Sequence, residues 1–278
     1  MKIYIDGSGG ARTGWVYEDW LLNGTKPDIT SSGESNRGYP QVDPAVYREM
    51  VRLFHQDGVP VGTHAVGDRA MDRVVDTYAL VEQEHPHIGL RHSIIHANLP
   101  TPHALEVMVN LQKKYDAGYP EMQPGFLWWI GDIYAASYGP NRGLHLEPFK
   151  TLQSRGILWS GGSDYFVTPV AARYGLWAST ARQTATGTYG PHPFGMTEAV
   201  DIHTALRSYT AWASRQFHGN QNRNARGKQE SRHCDLGSRP LRSSYRPDQR
   251  AEMPDDVGRW GNRVQFPEFS RNHICSLT

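Results

Sequence analysis

The sequence predicts an α/β chain built on a parallel sheet, followed by a tail of different character. Three observations lead there. Between about Gly38 and Arg215, short apolar runs alternate with amphipathic segments of helical period. Their spacing is that of βαβ units. Beyond Arg215 the chain turns polar and rich in arginine, glycine and serine, and the period is lost.

Each element follows in order. KIYIDG, Lys2 to Gly7, opens the chain as a strand. Asp43–Gln56 has apolar residues at helical spacing, with Asp43 as N-cap and Pro44 in the first turn. Val59–His64 reads as a strand, and Asp68–Glu84 as a helix with Met71, Val74, Val75 and Tyr78 on one face. Leu90–His96 is the next strand, Pro102–Tyr115 the next helix, and Glu121–Gln123 a short strand. Phe126–Gly143 reads as a long aromatic loop, either a packing insertion or the wall of a pocket. A helix over Glu147–Arg155, a strand over Ile157–Gly161 and helices over Pro169–Gln183 and Thr197–Arg215 complete the periodic part.

Composition excludes several classes. The 278 residues carry 29 basic and 28 acidic side chains, net +1, so nothing marks a nucleic-acid or acidic-surface partner. No apolar run approaches the ~20 residues of a membrane span. The opening MKIYIDGSGG lacks the basic-then-apolar pattern of a secretion signal, and a cytoplasmic location is expected. Cys234 and Cys275 have no metal or redox spacing.

The chemistry lies at strand ends. His64 and His96 finish two strands, Asp164 follows a third, and Lys2 sits in the first. In a (β/α)8 barrel, side chains at the carboxyl ends of strands converge on one mouth. Imidazoles and carboxylates are ligands that zinc and similar ions accept. A single histidine there is explained by loop capping; three such residues on near-successive strands are not. Trp128, Trp129 and Arg91 are the candidates for lining a substrate pocket, although Arg91, like Asp68, also serves as an ion-pair or cap residue. His85-Pro-His87 lies in a proline-broken loop at the opposite rim and reads as surface.

THAVGDRAMD (Thr63–Asp72), RHSIIHAN (Arg91–Asn98), GGSDYFVTP (Gly161–Pro169) and FGMTEAVDIHTALRSYTAWAS (Phe194–Ser214) resemble the YtcJ-like branch of the amidohydrolase superfamily. That branch includes N-substituted formamide deformylases and exoenzyme-regulator-like proteins. KIYIDGSGGART resembles its fourth-strand segment, and the likeness runs from about Lys2 to Arg215. The resemblance implies strands four to eight of a (β/α)8 barrel over residues 1–216. It implies a hydrolase that cleaves an amide or formamide C–N bond in a small molecule. His64, His96 and Asp164 would be ligands of a divalent metal, zinc, with Asp164 also the general base. Lys2 matches the position of a carboxylated lysine bridging two ions. A metal lowers the pKa of bound water towards ~7 and polarises a carbonyl, and a neighbouring carboxylate can pass a proton to the leaving amine. The alternative is a non-catalytic regulator on the same barrel.

The same resemblance places an HxH strand well before Lys2, so strands one to three are expected to be missing and the chain inactive by itself. After Phe217 the family continues with a segment like IGTLEPGKRADIAVWDRDP, whereas this chain reads HGNQNRNARGKQESRHCDLGSRP. Written as TCG CGA CAT TGC GAT CTG GGA TCG CGA CCC and read one base later, Ser231–Pro240 becomes RDIAIWDRDP. Residues 217–278 are therefore expected to be a frameshifted, disordered tail. The alternatives for the chain as a whole are a natural truncated product, a pseudogene product and a sequencing artefact.

Overall fold

In a computed structural model, residues 1–187 and 195–218 are described. A five-stranded parallel sheet has the order β1 (Lys2–Tyr4), β4 (Gly62–Ala65), β5 (Ser93–His96), β6 (Tyr119–Met122), β7 (Ser160–Gly161). The two remaining strands, β2 (Leu21–Leu22) and β3 (Lys26–Pro27), form a small antiparallel hairpin. Helices α1 (Pro44–Gln56), α2 (Asp68–Glu84) and α3 (Pro102–Tyr115) connect successive strands, as expected. Asp43 caps α1 by accepting from the Ala45 and Val46 amides, and Thr101 caps α3 through Ala104.

Strand alternation gives the sheet two unlike faces. Ile3, Thr63, Ala65, Ile94 and Met122 share one of them and are buried with Val51, Met71, Val74, Val75, Tyr78 and Met108 of the helices. Thr63, on this face, is tied to α1 and α2 through the Tyr47 and Tyr78 hydroxyls, 2.9 and 2.7 Å away. Lys2, Tyr4, His64, Ile95 and Glu121 share the other face by register, and none of them is fully buried. Gly67, between β4 and α2, is required by a close approach: a Cβ there would lie 2.0 Å from the Trp15 carbonyl oxygen.

Three expectations change. Strands begin later than their apolar runs, since residues 59–61 and 90–92 approach the sheet without full pairing. Residues 126–143 are not a loop but fall in three short helices, α4 (Gly125–Trp129), α5 (Gly131–Tyr138) and α6 (Pro140–Gly143). These bury Phe126, Leu127, Tyr134, Ala135 and Tyr138, with no polar stripe to betray a helical period. The helix expected over Thr197–Arg215 breaks at Thr210 into α9 (Ile202–Tyr209) and α10 (Ala211–His218), after a 3-10 turn at Met196–Glu198. Helices α7 (Phe149–Ser154) and α8 (Ala172–Ala181) are shorter than expected. Apart from the end of α10, the tail lies outside the described residues, as do residues 188–194. Among the described residues no helix is long and apolar enough to cross a membrane.

Candidate metal centre

His64 is the third residue of β4, and His96 is the last of β5. In the ladder His96 pairs with Ala65, while His64 pairs with Ile95. Plain alternation would therefore send the two rings to opposite faces. They meet because the backbone turns left-handed at His96 (φ 81°) and Ala97 (φ 46°). Such a conformation costs on the order of 1–3 kcal/mol at a non-glycine residue and tends to mark a functional position. The rings stand edge to face, centroids 4.4 Å apart, with His96 Nε2 2.9 Å from His64 Nδ1.

The outer nitrogens decide what that contact is. His64 Nε2 lies 2.9 Å from the Gly7 carbonyl oxygen, and His96 Nδ1 lies 2.8 Å from Gln123 Oε1. The Gln123 amide is oriented by its Nε2–H, which donates to the Glu121 carbonyl at 2.8 Å. Carbonyl oxygens only accept, so each ring must carry its proton on the outer nitrogen. Burial holds both rings neutral. It pushes His96 down to about 3, with the His64 and Lys2 charges adding and the Gln123 bond opposing. Burial also lowers His64, against the Gly7 bond and the Asp164 charge, with Lys2 adding to it. His64 Nδ1 and His96 Nε2 consequently face each other with two lone pairs and no proton between. That is a frustrated contact in the metal-free chain and a favourable one around a cation.

The other predicted residues fall unevenly around this pair. Lys2 shares the His64 face one pleat back along β1, its ammonium 4.7 Å from the Tyr4 ring centroid; that ring lies 4.9 Å from the His64 ring. Asp164 follows β7 with a left-handed backbone (φ 50°) and is half-buried. Its charge reaches His64, yet His64, His96 and Asp164 do not bring donor atoms within 4.8 Å of one another as a set. Trp128 stacks on Tyr174 of α8 at 6.1 Å and packs on Trp129. The ring stacked on His96 is Phe126, 5.9 Å away. Arg91 sits at the amino end of β5, its Nε 3.1 Å from an Asp116 carboxylate oxygen, so it is an ion-pair residue at the rim away from His96. Asp68 accepts from the Tyr17 amide at 2.9 Å.

Sequence reasoning missed Asp6 and Gln123. Asp6 is buried, accepts from the Trp15, Val66 and Gly67 amides at 2.8–3.0 Å, and lies 3.6 Å from His64 Nε2. Burial pushes its carboxyl up to about 7 against those three bonds. Gln123 ended the expected strand Glu121–Gln123, so the strand-end rule that picks His64 and His96 also picks Gln123.

A second histidine pair lies at the amino ends of the strands. His55, Glu82 and His92 are fully buried, and their donor atoms lie within 4.8 Å of one another. Here the protons close without a cation. The Val61 amide donates to His92 Nδ1 at 2.9 Å, which leaves the His92 proton on Nε2. That Nε2–H donates to His55 Nδ1 at 2.8 Å, and His55 Nε2–H donates to the His85 carbonyl at 2.6 Å. His85 and His87 are themselves exposed, in keeping with a surface loop.

This parallel α/β sheet with a partly buried imidazole pair at its carboxyl ends defines a protein class, and comparison with known proteins names it. The chain belongs to the amidohydrolase family, whose profile matches residues 1–223. It is 26% identical over 210 residues to the YtcJ protein of Bacillus subtilis, covering 76% of this chain and 36% of that one. It is 24% identical over 219 residues to LONG AFTER FAR-RED 3 of Arabidopsis thaliana, covering 77% and 34%. It is 28% identical over 156 residues to N-substituted formamide deformylase of Arthrobacter pascens, covering 55% and 27%. The chain thus spans about a third of the length of these relatives. In fold it is similar to an uncharacterized metal-dependent hydrolase from Pyrococcus horikoshii (TM-score 0.63, 24% identity, 80% of this chain and 40% of that one). A counterpart from Pyrococcus furiosus gives a TM-score of 0.61 at the same identity and coverage.

Proposed function

We propose that this chain supplies part of the metal centre of a hydrolase that cleaves an amide-type C–N bond, with an N-substituted formamide as the substrate class. The observation that carries the reading is the pair of opposed lone pairs on His64 Nδ1 and His96 Nε2, 2.9 Å apart. In a tetrahedral site two nitrogens that each sit ~2.0–2.1 Å from one zinc ion stand about 3.3–3.4 Å apart, so the pair has to open by only about 0.5 Å to take one. Each ring also has the outer hydrogen bond that orients a metal-ligating histidine. Asp164, brought closer, is the carboxylate of the set, and Lys2 is the further ligand once carboxylated. Zinc suits two imidazoles and a carboxylate, and when bound it supplies Lewis acidity and an acidified water.

The chain's own residues do the rest. Gly7 and Gln123 hold the two rings in one tautomer. Asp164 takes a proton from the attacking water and delivers it to the leaving amine nitrogen. Phe126 and Tyr134, buried beside His96, keep bulk water from that side. The chain-order, all-parallel arrangement of the sheet, helices on one face and Lys2, Tyr4, His64 and Glu121 on the other, supports reading the five strands as four to eight of a (β/α)8 barrel.

Zinc titration of the purified chain against a chromophoric chelator tests the metal reading. One equivalent should bind, and the His64→Asn/His96→Asn double variant should lose it. A double variant that binds as tightly as the parent would refute the assignment.

A further inference from the structure

We infer that Gln123 is a positioning residue that sets the tautomer of His96 and thereby decides whether the His64–His96 pair can take a cation. The inference rests on the metal reading of that pair and goes beyond it by assigning the control to one neutral side chain.

The argument starts from what a histidine pair does by default. When one ring carries its proton on the facing nitrogen, the pair closes as an N–H···N hydrogen bond and offers no lone pair to an ion. The same molecule contains that closed state. At the His55–His92 pair the outer nitrogen of His92 meets a donor, the Val61 amide, so the proton is forced inward to Nε2. At the His64–His96 pair the outer nitrogen of His96 meets an acceptor, Gln123 Oε1, so the proton is drawn outward to Nδ1. The outward proton leaves Nε2 free. His64 is held the same way by the Gly7 carbonyl, but a backbone oxygen cannot be varied by mutation, whereas Gln123 can.

Gln123 is built for this role. It is buried, 5% exposed, and cannot turn its amide over without facing its oxygen to the Glu121 carbonyl, which now accepts its Nε2–H at 2.8 Å. Its own carbonyl accepts from the Phe126 amide at 2.8 Å, at the start of the turn that brings Phe126 over His96. The acceptor is therefore presented in one orientation, at the end of the strand next to the one that carries His96.

The test reads the metal-free chain first. Long-range 1H–15N correlation spectra of the full chain, with His96 assigned by its loss in His96→Asn, separate the two tautomers directly. The parent should show His96 protonated on Nδ1, and Gln123→Leu should show it protonated on Nε2. Zinc, added alone, should then bind Gln123→Leu about 10–100-fold more weakly, the range expected when the outer partner of a ligating histidine is removed. Gln123→Glu keeps an acceptor at the ring and should restore both the tautomer and at least a tenfold share of the loss. Thermal unfolding of each variant checks that the fold persists. An Nε2–H tautomer in the parent overturns the inference, as does a folded Gln123→Leu chain with parent tautomer and parent affinity. If the parent shows the Nδ1–H tautomer but binds no zinc, the metal reading fails while the tautomer assignment stands.

Discussion

The two histidine pairs at opposite ends of the sheet are alike in every respect a composition count would notice. Each is largely withdrawn from solvent, each has its ring nitrogens 2.8–2.9 Å apart, and each joins a residue just before or at the end of β5 to a neighbouring element. In each pair burial lowers the basicity of the β5-side ring, pushing His92 and His96 down to about 3. They differ in the groups that meet the outer nitrogens. At the amino end those groups are a donor and an acceptor, so a single proton direction runs through the pair to the His85 carbonyl. At the carboxyl end both are acceptors, and the two runs of protons point away from each other. The difference teaches that two close histidine pairs are told apart by what their outer partners demand, not by the proximity of their rings.

Breaking either pair should have a different consequence, and the largest difference lies in zinc binding. His64→Asn or His96→Asn should weaken zinc affinity by at least ~100-fold, since each removes a direct donor. His92→Phe should leave affinity within about threefold. Equal losses at both pairs, measured by chelator competition, would erase the distinction drawn between them.

Stability should answer in the opposite sense. His92→Phe leaves the Val61 amide and His55 Nδ1 buried without partners, at about 1–3 kcal/mol for each unsatisfied group. We expect a total loss of about 3 kcal/mol in urea unfolding. Metal-free His64→Asn should lose less than ~1 kcal/mol, because it relieves an opposed lone pair. A destabilised His64→Asn chain would show that the carboxyl-end pair already closes by a proton.

Acid sharpens the comparison next. A histidine whose folded pKa is depressed contributes stability that is fully present above its unfolded value, 6.5, and is lost as pH falls towards the folded value of about 3. By pH 5, some 1.5 units below 6.5, His92 alone should have withdrawn roughly 2 kcal/mol. His92→Phe should remove that part of the slope between pH 7 and 5, leaving the part that belongs to His96. Buried Glu147, pushed up to about 8 by burial against Arg182, acts with the opposite sign: its contribution is present below 4.5 and is lost as pH rises through 8. It is common to both chains and cancels in their difference. Parallel pH curves for the two chains would contradict the assignment.

The smallest effect is expected at Trp129. It is 46% exposed and packs on Trp128 rather than on either histidine pair. Trp129→Ala should change stability by no more than about 1 kcal/mol and leave zinc affinity unaltered; a tenfold change in affinity would restore it to the wall of the metal site.

The helices with a polar side are legible in the amino-acid sequence. Asp68–Glu84 and Pro102–Tyr115 can be read to their ends because one apolar stripe faces one core and a cap or turn residue stops each. Residues 126–143 cannot, because three short helices buried on several sides carry no stripe, and aromatic content alone does not distinguish helix from loop. The strand-end rule finds His64 and His96, since the alternation of strand and helix is enough to bring carboxyl ends to one side of a parallel sheet. It does not account for Arg91, which stands at the amino end of the same strand and belongs to an ion pair.

By itself, then, the order of apolar runs and their caps determined a parallel α/β sheet with two imidazoles at one edge, because period and chain direction are local properties of a sequence. Whether those imidazoles face each other depended on the left-handed turn at His96, which no residue type there announces. Which nitrogens the rings turn towards each other without a proton depended on Gly7 and Gln123, residues 57 positions before His64 and 27 positions after His96. Only tertiary structure decides that, because a tautomer is set by whichever group the fold brings to the far side of the ring.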